Sequence, residues 1–226
     1  MKLSFILRTS IMTVLFPCLV HSYIFASEES FFEAGDEKSQ KVVSFTKLRI
    51  KQYDSDLRKD SPRLKLFARI ADPIKSKKEG YLVPSNKIVS VPDPNSWPDD
   101  TVNSYLVLFD ESSSVVAFED TPSSESGDWS NTYTYYFDKK GTTIAFKRYS
   151  GFFMGCPASV SKETSVYYYD EKHQLIHKEY TLVNEEGAPI NQKECDFMYR
   201  HEYKIYYNWD ELASDIDVLK VFKISE

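Results

Sequence analysis

Glycine and cysteine are scarce in this sequence, and basic residues are fewer than acidic ones. Seven glycines and three cysteines occur among 226 residues, and 28 lysines and arginines face 34 aspartates and glutamates, which leaves a net charge of −6. Binding to nucleic acid requires lysines and arginines that neutralise phosphates, and attachment to an anionic membrane surface requires the same positive charge. The charge balance therefore argues against both kinds of partner.

The short motifs that mark many catalytic and cofactor sites are also missing. The sequence has no Gly-x-Ser-x-Gly nucleophile elbow, no glycine-rich phosphate loop, no Cys-x-x-Cys pair and no calcium-binding loop. Ser-x-x-Lys, the pattern of a serine nucleophile with a lysine base, occurs at Ser44 and Ser159, both times without its companion motifs. We interpret both as chance matches, expect no cofactor, and favour a non-enzymatic protein.

The N-terminus has the pattern of a secretory signal. Lys2 and Arg8 form a basic region, and an apolar run follows from residue 11 to about residue 25. Polar residues and a proline interrupt this run, so it is a poor transmembrane span, which needs about 20 apolar residues. We predict a signal peptide at residues 1–26, cleaved near Ala26.

Two alternatives for this segment stay open, namely an uncleaved N-terminal anchor and a lipid on Cys18, which Pro17 disfavours. Under the favoured interpretation the chain is exported to the periplasm or the extracellular medium, and residues 27–226 form one soluble domain without a transmembrane segment. The removed residues include two basic and no acidic side chains, so the net charge changes from −6 to −8.

The two cysteines outside the signal are Cys156 and Cys195. An even number of cysteines suits a single disulfide in an oxidising compartment. Closing a loop of this length would stabilise the fold by roughly 4 kcal/mol on the chain-entropy model. We favour the disulfide over the alternative of two buried thiols.

A repeated pattern indicates β-hairpins. Sixteen tyrosines and fifteen phenylalanines favour pleated sheets, and three segments place an aromatic residue before Asp110, Asp138 or Asp170, then a short polar turn, then an apolar strand. Aspartate can bond its own turn backbone, and Gly141 can supply a positive φ. The pattern predicts a mainly β fold, an antiparallel meander of hairpins in an open sheet, half-barrel or sandwich. A degenerate fourth copy is expected at residues 203–210, and internal duplication and independent origin both remain open.

The other segments have weaker signals. Residues 64–70 alternate as a strand with one buried face, and residues 42–53 are interpreted as a strand with a bulge. Prolines between residues 70 and 105 place that stretch at a sheet edge. A short C-terminal helix at residues 209–219 is the only helix predicted, and residues 27–41 are expected to form a loose arm.

Histidines offer the sharpest candidate for a metal site. His173 and His177 are four residues apart, which on a helix would bring both imidazoles to one zinc ion. In the hairpin interpretation the same spacing separates them by roughly 13 Å of extended chain. We therefore expect exposed histidines and no metal site.

Tyrosines of matching phase provide the candidate binding surface. Their odd-numbered positions line one face of a sheet, which suits a sugar or a protein if exposed and forms core if buried. The apolar segment 151–157 is interpreted either as a cap on the core or as a contact surface. The candidate ligand-binding residues are Tyr133, Tyr135, Tyr167, Tyr169, Tyr203 and Tyr207.

Three functions are carried forward. The leading hypothesis is an exported, non-enzymatic binding module whose aromatic-rich sheet binds a protein, a glycan or an apolar ligand. A secreted hydrolase would instead show two carboxylates about 5 to 10 Å apart in one groove. A lipid-carrying half-barrel would show a deep apolar cavity.

Overall fold

The computed structural model describes residues 36–197 and 200–217, and within them eight antiparallel strands form one open sheet. In space the strands follow the order β2-β1-β3-β4-β5-β6-β7-β8, so β2 and β8 are the edges. This confirms the predicted antiparallel meander in its open-sheet form. The strands are β1 (Leu64–Ala71), β2 (Pro84–Val91), β3 (Thr101–Phe109), β4 (Val115–Pro122), β5 (Trp129–Phe137), β6 (Thr143–Phe152), β7 (Ser161–Tyr169) and β8 (Leu175–Asn184).

The described part of the chain also contains the helices α1 (Glu37–Asp56), α2 (Pro73–Glu79) and α3 (Trp209–Asp215), with a 3-10 turn at Gln192–Glu194. The predicted C-terminal helix is present as α3. The signal peptide and its cleavage site lie outside the described residues. No helix among the described residues is long and apolar enough to cross a membrane.

The three predicted aspartate turns are confirmed. Oδ1 of Asp138 accepts hydrogen bonds from the backbone N–H groups of Lys140 and Thr142, at 2.8 and 2.9 Å. Gly141 has a φ of 78°, in the left-handed region where glycine has no steric cost. The same bonds recur at Asp110 and Asp170, where the residues in the left-handed conformation are Ser113 and His173.

The predicted fourth hairpin at residues 203–210 is wrong. Asn208 accepts a hydrogen bond from Glu211 N–H and so begins α3 instead of closing a turn. A fourth turn of the same construction lies at Asn184, whose Oδ1 accepts from Ala188 N–H at 2.7 Å, with Gly187 at a φ of 84°. Asparagine performs the role that aspartate has in the other three turns.

The prediction of a strand at residues 42–53 is wrong, because these residues lie in α1. Of the predicted loose arm at residues 27–41, residues 37–41 also lie in α1, while residues 27–35 lie outside the described part of the chain. Asp36 caps this helix by accepting from Ser39 N–H at 2.8 Å. The apparent break in strand phase at Phe45 and Leu48 reflects two side chains that point to solvent from a helix, 58% and 68% exposed. The buried stripe has helical spacing and consists of Val43, Thr46, Ile50, Tyr53 and Leu57.

The prediction of a single, C-terminal helix is therefore too low, because the described residues form three α-helices. The proline-containing stretch holds α2, in which Pro73 occupies the first turn, Asp72 caps the N-terminus and Gly80 ends the helix with a φ of 79°. After α2 this stretch contains β2, which is an edge strand, so its predicted position at a sheet edge is confirmed. The strand predicted at residues 64–70 is β1.

Each face of the sheet is covered by a different part of the chain. We call the face that carries Tyr105, Phe118, Tyr135 and Phe146 the aromatic face, and residues 200–217, which pack on it, the cover. The opposite face, the helix face, buries its side chains against α1, and those side chains are Leu108, Val116, Ala117, Tyr136, Ala145 and Tyr168.

Candidate functional site

The six candidate tyrosines all contribute to the aromatic face or to its cover. Tyr133, Tyr135 and Tyr169 are buried, so these three are part of the core and not of an exposed surface. The hydroxyl of Tyr135 donates to the carbonyl oxygen of Lys204 in the cover at 2.5 Å. The exposed members belong to the cover: Tyr203 is 37% exposed and Tyr207 is 45% exposed.

Two separate groups result from this arrangement. Tyr207 packs edge-on against the ring of His173, which in turn stacks on Tyr169. At a different place on the same face, the hydroxyls of Tyr167 and Tyr203 lie 3.1 Å apart. The structure therefore brings Tyr167 and Tyr203 together at the surface, while Tyr207 lies beside the third aspartate turn.

A broad concavity of about 2370 Å³ runs along β8 and includes the Tyr167–Tyr203 pair. Its lining includes side chains from both faces of β8, so the space wraps around the edge of the sheet. Residues 189–194, two residues of the β6–β7 loop and part of the cover form other walls. Lys178 of β8 lies over the ring of Tyr167, with Nζ 5.1 Å from the ring centre, and makes no ion pair with any described residue.

A buried ion cluster forms the floor of this concavity on the aromatic face. The carboxylate of Glu163 in β7 is 1% exposed and accepts hydrogen bonds from the guanidinium groups of Arg148 and Arg200. The hydroxyl of Tyr180 also donates to it, at 3.0 Å. Burial lowers the pKa of Arg148, yet an arginine side chain remains charged at neutral pH. Glu163 is thus neutralised, and Arg200 ties the cover to the sheet.

Two further carboxylates line the concavity: Glu194, in the 3-10 turn, and Glu179, on the helix face. Glu179 bonds Lys47 of α1 at 2.5 Å and the hydroxyl of Tyr168 at 2.6 Å. Burial on its own would raise the pKa of Glu179, but these two hydrogen bonds hold it below its usual value. Glu163 and Glu179 therefore occupy opposite faces of the sheet, and each already has a cationic partner.

The histidine pair is separated in the same way. His173 stacks on Tyr169 of the aromatic face at 4.3 Å, while His177 lies against Tyr168 of the helix face at 5.5 Å between ring centres. The structure does not bring the two imidazoles to a common ligand position. Among the described residues, no group of three or more histidine, cysteine, aspartate or glutamate side chains is arranged to hold a metal ion.

The predicted disulfide between Cys156 and Cys195 is confirmed. It ties the β6–β7 loop to the segment that leads into the cover. Within residues 151–157, the burial of Phe152 agrees with the interpretation as a cap on the core, and the contact surface stays a prediction for the exposed side chains. Phe152 is buried and packs against Phe197, whereas Phe153 and Met154 are more than half exposed.

Sequence reasoning missed the charged residues of this site. Lys178 lies opposite Tyr167 only through strand pairing, and Arg200 reaches Glu163 across 37 residues of sequence. The only available signal was the alternation along β8, which places Lys178 and Tyr180 on the face that carries Tyr167. Comparison of the chain with protein-family models, curated proteins and solved structures found no match.

Proposed function

We propose that this chain is an exported, non-enzymatic binding module and that its partner binds in the concavity beside β8. One observation carries the proposal: Tyr203 and Lys178 are partly exposed there, while Glu163 and Glu179 are each bonded to a cationic partner. An exposed tyrosine beside a cation is typical of protein-binding surfaces, because the ring offers apolar area with a polar tip. The disulfide supports export, since it fits an oxidising compartment.

Of the three ligand classes, we favour a protein. The concavity measures about 2370 Å³. Pockets for small ligands usually enclose roughly 300 to 1,000 Å³, so the space suits a polypeptide better than a single small molecule. The lipid-carrier alternative finds less support, because side chains of the cover pack on the apolar part of the aromatic face.

The hydrolase alternative retains one supporting observation, at Asp120. Burial raises the pKa of this carboxyl group to about 6, although a hydrogen bond from Asn103 and the charge of Arg69 oppose the shift. A pKa in this range suits a general acid or base. Hydrolysis of a polysaccharide by the purified protein, abolished in Asp120→Asn, would favour this alternative over the binding module.

The binding proposal is tested by selecting displayed random 12-residue peptides on the purified, disulfide-bonded protein, with a glycan array run in parallel. We expect enriched peptides whose affinity falls at least about tenfold in Tyr203→Ala, because exposed aromatic anchors dominate interfaces. Tyr81→Ala is the matched control, since Tyr81 is 57% exposed in the loop after α2. Binding to glycans alone, or equal losses in both variants, would contradict the proposal.

A further inference from the structure

The outer side of β8 is an open sheet edge along the concavity. Within the described chain, β8 pairs with β7 on one side and, on the other side, only with the short segment after the Asn184 turn. There the N–H of Ile190 donates to the carbonyl oxygen of Leu182 at 3.0 Å. This bond shows that the edge accepts an extended segment and identifies which residues face outward.

In an antiparallel ladder the backbone groups of successive residues point alternately to the two sides of the strand. Leu182 faces outward, and the register with β7 continues without a shift from Asn184 to His177. The backbone N–H and C=O groups of Tyr180 and Lys178 therefore also point outward, toward the concavity. Those of Glu179 point toward β7.

The dimensions of this edge suit a short strand. The regular part between His177 and Thr181 covers five residues, or about 17 Å at roughly 3.3 Å per residue. Consecutive residues of this stretch line the concavity, so the space lies beside both faces of β8. A ninth strand would need space in this position. The segment at Pro189 and Ile190 closes one end of it.

Charge indicates the chemistry of the occupant. Lys178 and Lys193 line the concavity without an ion pair to any described residue, and so does one carboxylate, Glu194. The other two carboxylates of the lining, Glu163 and Glu179, are bonded to cationic partners. Two unpaired lysines exceed the one unpaired glutamate, and Arg148 and Arg200 share the single carboxylate of Glu163, so the local charge is positive although the chain has a net charge of −6. A segment with acidic side chains is attracted to this edge.

The same residues disfavour a second copy of the chain as the occupant. Two β8 strands paired edge to edge would bring the unpaired Lys178 of both copies into the same concavity, where like charges repel each other. Two chains that each carry a net negative charge also repel one another.

We propose that an extended acidic peptide segment of a partner protein adds to β8 as a ninth strand, bonded to the backbone of Lys178 and Tyr180. The inference rests on the proposed binding function and specifies how that partner is held. Backbone hydrogen bonds supply the affinity, and acidic side chains that point to the aromatic face meet Lys178 beside Tyr167 and Tyr203.

The experiment compares Lys178→Ala with Lys178→Pro, using a synthetic copy of an acidic 12-residue peptide selected on the wild-type protein. Both variants lose the ammonium group, but only proline removes the outward N–H, and the ladder with β7 is kept because that N–H does not take part in it. We expect Lys178→Pro to bind the peptide at least about tenfold more weakly than Lys178→Ala. This is the loss of affinity expected when one backbone hydrogen bond to the peptide is missing and the strand pairing around it is disturbed. Circular dichroism of both variants verifies that they fold.

Amide hydrogen exchange gives a second measurement on the unmodified protein. Peptide addition should slow exchange at Lys178 and Tyr180 and leave Glu179, which already faces β7, unchanged. Equal affinity of the two Lys178 variants, or unchanged exchange at Lys178 and Tyr180, overturns strand addition while the binding function stands. Failure to enrich any peptide overturns both. Concentration-dependent dimerisation lost in Lys178→Pro would assign the edge to a second copy and also overturn the proposal.

Discussion

Replacing Glu163 with alanine removes the carboxylate that two arginines share beneath the concavity. Glu163 is 1% exposed and the Arg148 side chain 7% exposed, and Arg148 has no other carboxylate partner among the described residues. Its Nε atom is already buried without a hydrogen-bond acceptor. Breaking a buried pair by removing one partner costs about 3 to 5 kcal/mol, because it leaves an uncompensated charge. We expect Glu163→Ala to lower the free energy of unfolding by that amount.

Arg200→Ala should behave differently. The Arg200 side chain is 36% exposed, and Glu163 would retain Arg148 as its partner. A partly exposed ion pair contributes about 1 kcal/mol or less, so the expected loss is several times smaller. The ordering of the two losses follows from burial alone.

Urea unfolding of the disulfide-bonded protein, followed by tryptophan fluorescence, measures both variants. Stability follows from the midpoint and slope of each transition. Glu171→Ala, which changes an exposed glutamate in the third aspartate turn, is the control and should shift stability by less than about 0.5 kcal/mol. Equal losses in Glu163→Ala and Arg200→Ala, or a loss below about 1 kcal/mol in Glu163→Ala, would refute the buried cluster.

Three further outcomes are expected. Replacing Cys156 and Cys195 with serine should cost about 4 kcal/mol, because the bond joins residues 39 apart, and reductant should reproduce the loss in the wild-type urea transition. Gly141 and Ser113 both have positive φ, so Gly141→Ala should destabilise the protein by about 1 kcal/mol and Ser113→Gly should stabilise it by a similar amount. Thermal unfolding measures both variants, and melting temperatures shifted in the same direction would contradict this expectation. Burial raises the pKa of Asp120 to about 6, so its folded form binds a proton more tightly than its unfolded form. Its contribution to stability should therefore fall as pH rises from about 4 to 6, and Asp120→Asn should remove this slope in a series of urea titrations.

The sheet was predictable because its signals are local. An aspartate that bonds its own turn two and four residues on requires only a short segment, and Asp110, Asp138 and Asp170 are each found this way. The disulfide followed from the number of cysteines. Neither prediction needed knowledge of the tertiary structure.

Helix α1 was missed because its buried stripe is mixed. Val43, Ile50 and Leu57 are apolar, but Thr46 is polar, and the helix carries Phe45 and Leu48 on its exposed side. A helix whose apolar residues lie on both sides has no clear 3.6-residue period, so tertiary packing decides its structure. The period-2 interpretation also required a break in phase between Phe45 and Leu48, so neither period described these residues without an exception.

The charged residues of the site could not be predicted, because they also depend on tertiary packing. Glu163, Arg148 and Arg200 come from β7, β6 and the cover, and no sequence spacing relates them. Their pairing depends on strand register and on the path of the cover across the sheet. Tyr133, Tyr135, Tyr167 and Tyr169 share the aromatic face of the sheet. Tyr203 and Tyr207 instead belong to the cover, and the sequence did not reveal that residues 200–217 would pack on this face.

The position of the cover explains why binding is proposed at an edge of the sheet. An open sheet has two apolar faces and two edges, and a stable domain must bury the faces. Here α1 packs on one face and the cover on the other, so the edges remain. At β2 the strand begins with Pro84, which cannot donate to a ladder and so blunts that edge. At β8 the outward backbone of Lys178 and Tyr180 borders a concavity whose floor Arg200 holds in place. Arg200→Ala combined with reduction of the disulfide should release the cover from the sheet. The peptide site would then lose its floor, while the outward backbone groups of β8 would remain. The affinity for the peptide should therefore fall although the sheet stays folded.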